Sequence, residues 1–228
     1  MNTLKIVLAV LLFVLPVFAE DALGWVRIKF KQAQDSEDQW DVDLNYDALM
    51  LAELKKLTTM KINTKVHTAS LTKFDVITKY PVLFMHGSGT PLLNEEEKKN
   101  LKEYMQRGGF VLIDDCHTKE FKAIFYKSMR KILTEELFPG KKAEILTPDH
   151  EIFHSQFDLP KGIPGRTPMN QPPLGIHDEK GRLMALILAA DIHCAWGAPN
   201  KVNDPDVIRF KKDSYRMIAN VMIYTMTH

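Results

Sequence analysis

Cysteine is scarce in this chain, with only Cys116 and Cys194 present. Two cysteines cannot staple a small disulfide scaffold, so an apolar core must hold the fold; an oxidising compartment would permit one bridge at most. An excess of either charge is also lacking. Thirty basic residues face 29 acidic ones, with no lysine or arginine run and no basic–aromatic stripe. That removes the electrostatic footprint of a nucleic-acid partner. No internal repeat or linker divides the chain, and beyond residue 19 no apolar run is long enough to cross a bilayer.

The first 19 residues are of a different kind. Lys5 supplies a positive start, residues 6–15 an apolar run, and Val17-Phe18-Ala19 a small-residue cleavage pattern. Together they predict a removed signal peptide, an exported protein starting at Glu20, and a periplasmic or cell-envelope location. The run is short for a retained spanning anchor. Residues 20–228 suit a single large domain, with basic and acidic residues in balance once Lys5 is gone.

The domain is organised around Arg107-Gly108-Gly109-Phe110-Val111-Leu112-Ile113-Asp114-Asp115-Cys116-His117. Gly108 can take the left-handed conformation that ends a helix. Residues 110–113 lack polar alternation, as a strand covered on both faces does. Four chemically capable side chains follow at once, where sites on α/β sheets form.

Strands and helices alternate before and after this stretch. Residues 25–30 predict a first strand with Val26, Ile28 and Phe30 on one face, followed by a polar loop at 32–39. Tyr46, Leu49, Met50, Leu54 and Leu57 fall at helical spacing. Residues 62–67 and 80–85 predict two further strands, the latter leading into His86-Gly87-Ser88-Gly89-Thr90. Asn94 with Glu97 forms a capping box for a helix that buries Leu101, Tyr104 and Met105. After the central strand comes a helix carrying Phe121, Ile124, Phe125, Met129, Ile132 and Leu133, closed by Pro139-Gly140. Residues 143–146 predict a short fifth strand. Residues 147–173 hold six of the twelve prolines and read as an irregular loop over the functional edge of the sheet. Residues 174–177 and 182–190 predict a hairpin, and Asp204-Pro205 begins a last helix. The alternation predicts a three-layer α/β fold with a mostly parallel sheet, helices on both faces and a late antiparallel hairpin.

Such a sheet gathers the residues that follow its strands along one edge. His86 and Asp114-Asp115 follow successive strands. Asp191 and His193 join them only if residues 182–190 run parallel to the centre, with 174–177 as the antiparallel partner. Imidazole, thiolate and carboxylate together suit a divalent metal such as zinc, and thiolate also suits copper. Adjacent residues on an extended segment point opposite ways, so Cys116-His117 and His193-Cys194 each offer one ligand at most. The expected metal set is therefore His86, His193 and one of the two aspartates, Asp115 or Asp114. His86, Ser88 and Asp114 are the expected ligand contacts, and His150 or His154 could fold over the top. The plainer roles are turn capping for the aspartates, and burial or one disulfide for the cysteines. His67, His177 and His228 read as surface residues.

Several of these passages in combination resemble a bacterial family, domain of unknown function 4159. They are Trp25-Val26-Arg27-Ile28-Lys29-Phe30, Trp40 and the helix after it, Tyr80-Pro81 through His86-Gly87, Asn94 to Glu97 and Gly108-Gly109-Phe110. Asp114-Asp115, Asp149-His150-Glu151-Ile152-Phe153 and the closing Asn220-Val221-Met222-Ile223-Tyr224-Thr225 complete the set. The resemblance implies a class I glutamine amidotransferase-like fold, shared with trehalose-utilisation-type proteins, whose similar Asp-His-Pro-Ile segment has its proline replaced by Glu151 in this chain. It implies cell-envelope work and envelope protein partners, from gene neighbourhoods with MoxR-type ATPases and von Willebrand A proteins. It implies no reaction. Glutaminases of that fold carry a cysteine at an elbow that falls near Asp114 or Asp115 here, one or two residues before Cys116. Their Cys-Gly and His-x-Glu patterns are missing. A thiol mechanism would take Asp115, Cys116 and His150 as its catalytic residues. The leading expectation is an exported envelope protein that binds a ligand or protein partner at the carboxyl edge of its sheet. The alternative is a metal- or thiol-dependent hydrolase acting on a cell-wall or carbohydrate-like substrate.

Export is open to direct measurement. Mass spectrometry of the protein from its native host should find Glu20 at the N-terminus. A predominant intact form beginning at Met1 would overturn the expectation.

Overall fold

Backbone polar groups inside a sheet must be paired and apolar side chains covered, and the chain meets both demands by alternating strand and helix. A computed structural model describes residues 22–33, 39–116, 122–165, 171–198 and 203–228. The leader at 1–19, His117 and Phe121 lie outside the described residues. The chain opens with β1 (Leu23–Lys29) and β2 (Lys31–Gln32), then α1 (Leu44–Leu57), β3 (Ile62–Ser70) and a single turn, α2 (Phe74–Ile77). Next come β4 (Val82–Gly87), β5 (Pro91–Leu92), α3 (Glu95–Gln106) and β6 (Phe110–Asp115). α4 (Ile124–Lys131) runs on into a wider helical turn at Ile132–Leu137, and β7 (Glu144–Ile145) follows. β8 (Leu174–His177), β9 (Leu183–Leu188), α5 (Ile192–Gly197) and α6 (Pro205–Thr227) complete the order.

Seven strands make one sheet in the order β3-β1-β4-β6-β9-β8-β7, with β6 at its middle, while β2 and β5 pair on their own. The five from β3 to β9 are parallel, and β8 and β7 each lie antiparallel to their neighbour. The late hairpin is therefore present, and its second strand runs parallel to the centre. One face is covered by α1, α5 and α6 through residues such as Met50, Leu54, Trp196, Met217 and Val221. The other is covered by α3 and α4 through Leu101, Met105, Phe125 and Met129. This is the expected three-layer α/β architecture, and no helix among the described residues is long and apolar enough to cross a membrane.

The local signals work as their chemistry requires. Asn94 Oδ1 accepts from Glu97 N at 3.0 Å while Glu97 Oε2 accepts from Asn94 N at 3.0 Å. Gly108 adopts φ 106°, where a side chain would be strained, and so frees the chain to leave α3 and enter β6. Asp204 Oδ1 accepts from Asp206 N at 2.9 Å, with Pro205 opening α6.

The first part of the proline-rich stretch departs from expectation. Residues 147–165 pack beside α6 and not over the functional edge. Ile152, Phe153, Leu159 and Ile163 are buried in the layer beneath α6, and Asn220 pins the stretch by accepting from Gln156 N and Phe157 N. Four apolar side chains gain more from the α6 layer than from an edge facing water. Residues 171–173 lie by the carboxyl end of β9, where Leu174 pairs with Ile187, and Pro172 O accepts there from Tyr126 Oη at 2.7 Å.

Val111 is fully buried at the centre of the sheet. Val111→Asp should abolish cooperative folding, because it places an unpaired carboxylate in that core. A soluble variant unfolding at the wild-type urea midpoint, followed by circular dichroism, would contradict the central position of β6.

Candidate functional site

Because β4, β6 and β9 are parallel neighbours, the residues at their carboxyl ends meet. His86 pairs in register with Asp114, and Asp114 with Leu188 at the end of β9. Asp191 then leads directly into α5. The His86 and His193 rings lie 4.2 Å apart, and Asp114 Oδ2 accepts from His193 N at 3.2 Å. His86, Cys116 and Asp191 each offer a donor atom within 4.8 Å of the others, and all three residues are buried. Ser88 is buried two residues beyond His86 at the same edge.

Strand parity separates the two aspartates. β6 continues through Asp115, so Asp114 faces α5 while Asp115 faces α4. Asp115 Oδ2 accepts from Tyr126 N at 2.8 Å and so caps the first turn of α4. Burial pushes its carboxyl up to about 7, with the backbone N–H groups of Tyr126 and Phe125 holding it from rising further. Asp115 therefore stands outside the donor group expected to include it, and Asp191 stands inside. Asp114 is held well above the usual carboxylate range by burial and then by Asp191.

His193 is also placed differently from the expected metal ligand. Arg27, fully buried on β1, commits all five of its N–H groups. Nε donates to Asp47 Oδ2 at 2.9 Å, and Nη2 donates to Asp47 Oδ1 at 2.6 Å. Nη1 donates to the carbonyls of Val42 at 2.7 Å and Trp40 at 3.3 Å. The last N–H reaches His193 Nε2 at 2.5 Å. A guanidinium only donates, so Nε2 must accept and the ring proton sits on Nδ1. Neither nitrogen of that tautomer is then open to a metal. Burial, and next Arg27, hold His193 well below the usual histidine range, in its neutral form. Burial likewise keeps Asp47 raised against the opposing pull of Arg27. Arg27 and Asp47 went unnoticed in the sequence as site residues. The only signal was an arginine at an alternate position of a strand that proves to be interior.

His150 does not reach this edge. Its ring lies 5.8 Å from His177 and 6.4 Å from Tyr224, whose hydroxyl accepts from Leu183 N at the first residue of β9. The length of β9, about 16 Å at strand rise, separates that point from Asp191. His150 instead accepts from Ile152 N and starts a helical turn. Nor does His154 fold over the top, because it ties Asp158 Oδ1 to Pro148 O within its own loop. No disulfide joins Cys116 and Cys194, and Cys116 Sγ lies 3.9 Å from Asp191 Oδ1.

His86 carries the clearest chemical signal. It is fully buried, and neither ring nitrogen has a hydrogen-bond partner among the described residues. Burying such a group unpaired is costly, so a partner that is not protein is the natural complement. Burial, then His193 and Arg27, hold it well below the usual histidine range, leaving a neutral imidazole with a lone pair to give. With Cys116 and Asp191 it forms a mixed nitrogen, sulfur and oxygen donor set of the kind zinc takes.

Fold and edge thus define a three-layer α/β protein with a buried donor cluster where its parallel strands end. The chain belongs to the family described as domain of unknown function (DUF4159), whose model matches residues 26–226. Among curated proteins nothing matches it.

Removing one side of the buried ion pair tests how the site is held. Asp47→Asn leaves the Arg27 charge uncompensated and should cost roughly 3–5 kcal/mol in urea unfolding. Arg27→Met combined with Asp47→Leu should recover most of that loss. Near-wild-type stability for Asp47→Asn would show that the pair does not organise this layer.

Proposed function

We propose that this chain is an exported cell-envelope protein whose carboxyl sheet edge holds one divalent transition metal, zinc being the best match, and binds a small ligand there. The observation that carries the reading is His86, buried with both nitrogens unpaired among the described residues, within 4.8 Å of donors from Cys116 and Asp191. Imidazole, thiolate and carboxylate favour zinc over magnesium or calcium, which take oxygen ligands. His86 lies on β4, Cys116 directly follows β6, and Asp191 precedes α5, so secondary structure fixes all three. The parallel sheet with helices on both faces is compatible with a class I glutamine amidotransferase-like fold. The leader at 1–19 supports export, and envelope proteins are the partners we expect.

The second reading is a metal-dependent hydrolase acting on a cell-wall or carbohydrate-like substrate. Its support is the count of protein donors, since three of them leave a position where a metal would activate water. In this chain Asp114 would then hold or release a proton beside the centre, and Arg27 would keep His193 neutral and fixed. Thiol hydrolysis is less well supported. A nucleophilic thiolate needs a nearby cation or base, and burial with Arg27 opposes an imidazolium at His86.

Elemental analysis of the purified mature protein should find about one equivalent of zinc per chain. His86→Gln and Cys116→Ser should each abolish it while cooperative unfolding persists. Stoichiometric metal in both variants would move the site elsewhere, and a metal-free wild type that also fails to take up added zinc would defeat the reading.

A further inference from the structure

Residues 147–165 carry two histidines, His150 and His154, whose hydrogen bonds demand opposite charge states. An amide N–H can only donate, so the bond from Ile152 N at 3.2 Å makes His150 Nδ1 an acceptor. A second ring proton would have to enter at that nitrogen and would break the bond. His150 therefore holds its turn only while neutral. His154 is the reverse case. Its Nε2 lies 2.8 Å from Pro148 O and its Nδ1 lies 2.6 Å from Asp158 Oδ1. A carbonyl and a carboxylate both accept, so both ring nitrogens must donate, which only the imidazolium can do. The surroundings agree with these roles. Around His150 stand Asp149 and Glu151 in its own turn, and His177 on β8, whose Nδ1 is 3.2 Å from Glu144 Oε2 on β7. Tyr224 and His228 face it from the end of α6, with His228 Nε2 3.4 Å from Glu151 Oε1. Burial, then His177, hold His150 below the usual histidine range. The Pro148 carbonyl, then Asp158, with Asp149 nearby, raise His154 above it.

We propose that this stretch is a pH-gated clasp, closed around the ordinary titration range of histidine and loosened on either side of it. What it covers is apolar. Ile152 and Phe153 are fully buried, with Leu159, in the layer under α6. Asn220 of α6 grips the same stretch, accepting from Phe157 N at 2.7 Å and donating to Phe157 O at 2.9 Å. As pH falls, His150 takes up a proton, loses Ile152 N and becomes a cation beside His177 and His228. Folding favours its neutral form, so that contribution is present above about 6.5 and lost as pH falls through the lowered value. As pH rises, His154 gives up a proton, and one of its two acceptors loses its donor. Folding favours its charged form, so that contribution is present below about 6.5 and lost as pH rises through the raised value. Either change frees the turn that keeps Ile152 and Phe153 beneath α6. The clasp lies by the first residue of β9, away from the donor cluster, and needs no metal.

Hydrogen exchange of the mature chain across the histidine range, corrected for the intrinsic pH dependence of amide exchange, reads the clasp directly. Protection of the Ile152 and Phe153 amides should peak near about pH 6.5 and fall on both sides, by up to about tenfold per pH unit, the limit for one proton. Amides of β6 should show no such peak. His150→Asn keeps a capping acceptor that does not titrate, so it should remove the acid limb alone. His154→Ala should remove the alkaline limb alone and lower the peak. Nuclear magnetic resonance titration of the wild-type imidazoles needs no variant to fold: His150 should titrate below about 6.5 and His154 above it. A flat or one-limbed wild-type profile, a limb that survives its own substitution, or the reverse order of the two midpoints would overturn the clasp.

Discussion

The edge of this sheet depends on one buried cation. Arg27 sits on β1 with no exposure, and an uncompensated guanidinium there would be strongly destabilising. Its five donors are therefore all committed, to Asp47 on α1, to two carbonyls of the preceding loop and to His193 on α5. A single side chain thus ties the start of α1 and the start of α5 to the same strand. Lysine would not replace it, having three donors on a point charge in place of a planar fork with five. The cost of burying the pair is offset only while every partner stays in place. That demand fixes α5, and with it Asp191, against the ends of β6 and β4.

Much of this was legible from the chain, and the failures have physical causes. Strand direction could be read because alternation with helices forces parallel strands, and because 174–177 and 182–190 form a tight hairpin. His86, Asp114 and His193 therefore met as expected. The error over Asp115 came from stopping the strand at Ile113, where the apolar run ends. Pairing continues for two residues, so parity sends Asp114 and Asp115 to opposite faces. Arg27 and Asp47 were hidden for a different reason. They lie 20 residues apart, and each becomes buried only through the other. His150 misled because a proline-rich stretch is ambiguous about which layer its few apolar residues will join.

Backbone strain is distributed in a way that agrees with the side chains. Three non-glycine residues among those described have left-handed φ: Asp43, Ala123 and Asp191. Each immediately precedes a helix: Asp43 before α1, Ala123 before α4 and Asp191 before α5. These are the helices that present Asp47, the N–H groups capped by Asp115, and His193. Such conformations cost about 1–3 kcal/mol each and persist where surrounding structure over-determines them. Here the sharp turns let three helices start close against the ends of β4, β6 and β9, and the Arg27 clamp and the Asp115 cap supply the over-determination.

The charge state of the edge then bears on what it can receive. Arg27 and Asp47 form a buried ion pair, and the guanidinium still reaches His86 and His193 as one of the influences that keep them neutral. His86 and His193 are held neutral, and Asp114 and Asp115 are held toward their protonated forms, each chiefly by burial. An edge so arranged carries little charge when empty, which is why acidic groups can crowd there without unfolding the sheet. A dication held there would take the lone pair His86 offers, displace the proton of the Cys116 thiol and face the carboxylate of Asp191, so that one thiolate and one carboxylate would match its two charges. Binding of the proposed metal would therefore exchange charge for charge in a low-dielectric site, where a net excess of either sign is most expensive. A purely oxygen-seeking ion would make poor use of the thiol and imidazole donors. The same buried groups that make the empty edge tolerable would thus favour the thiophilic, doubly charged occupant proposed above.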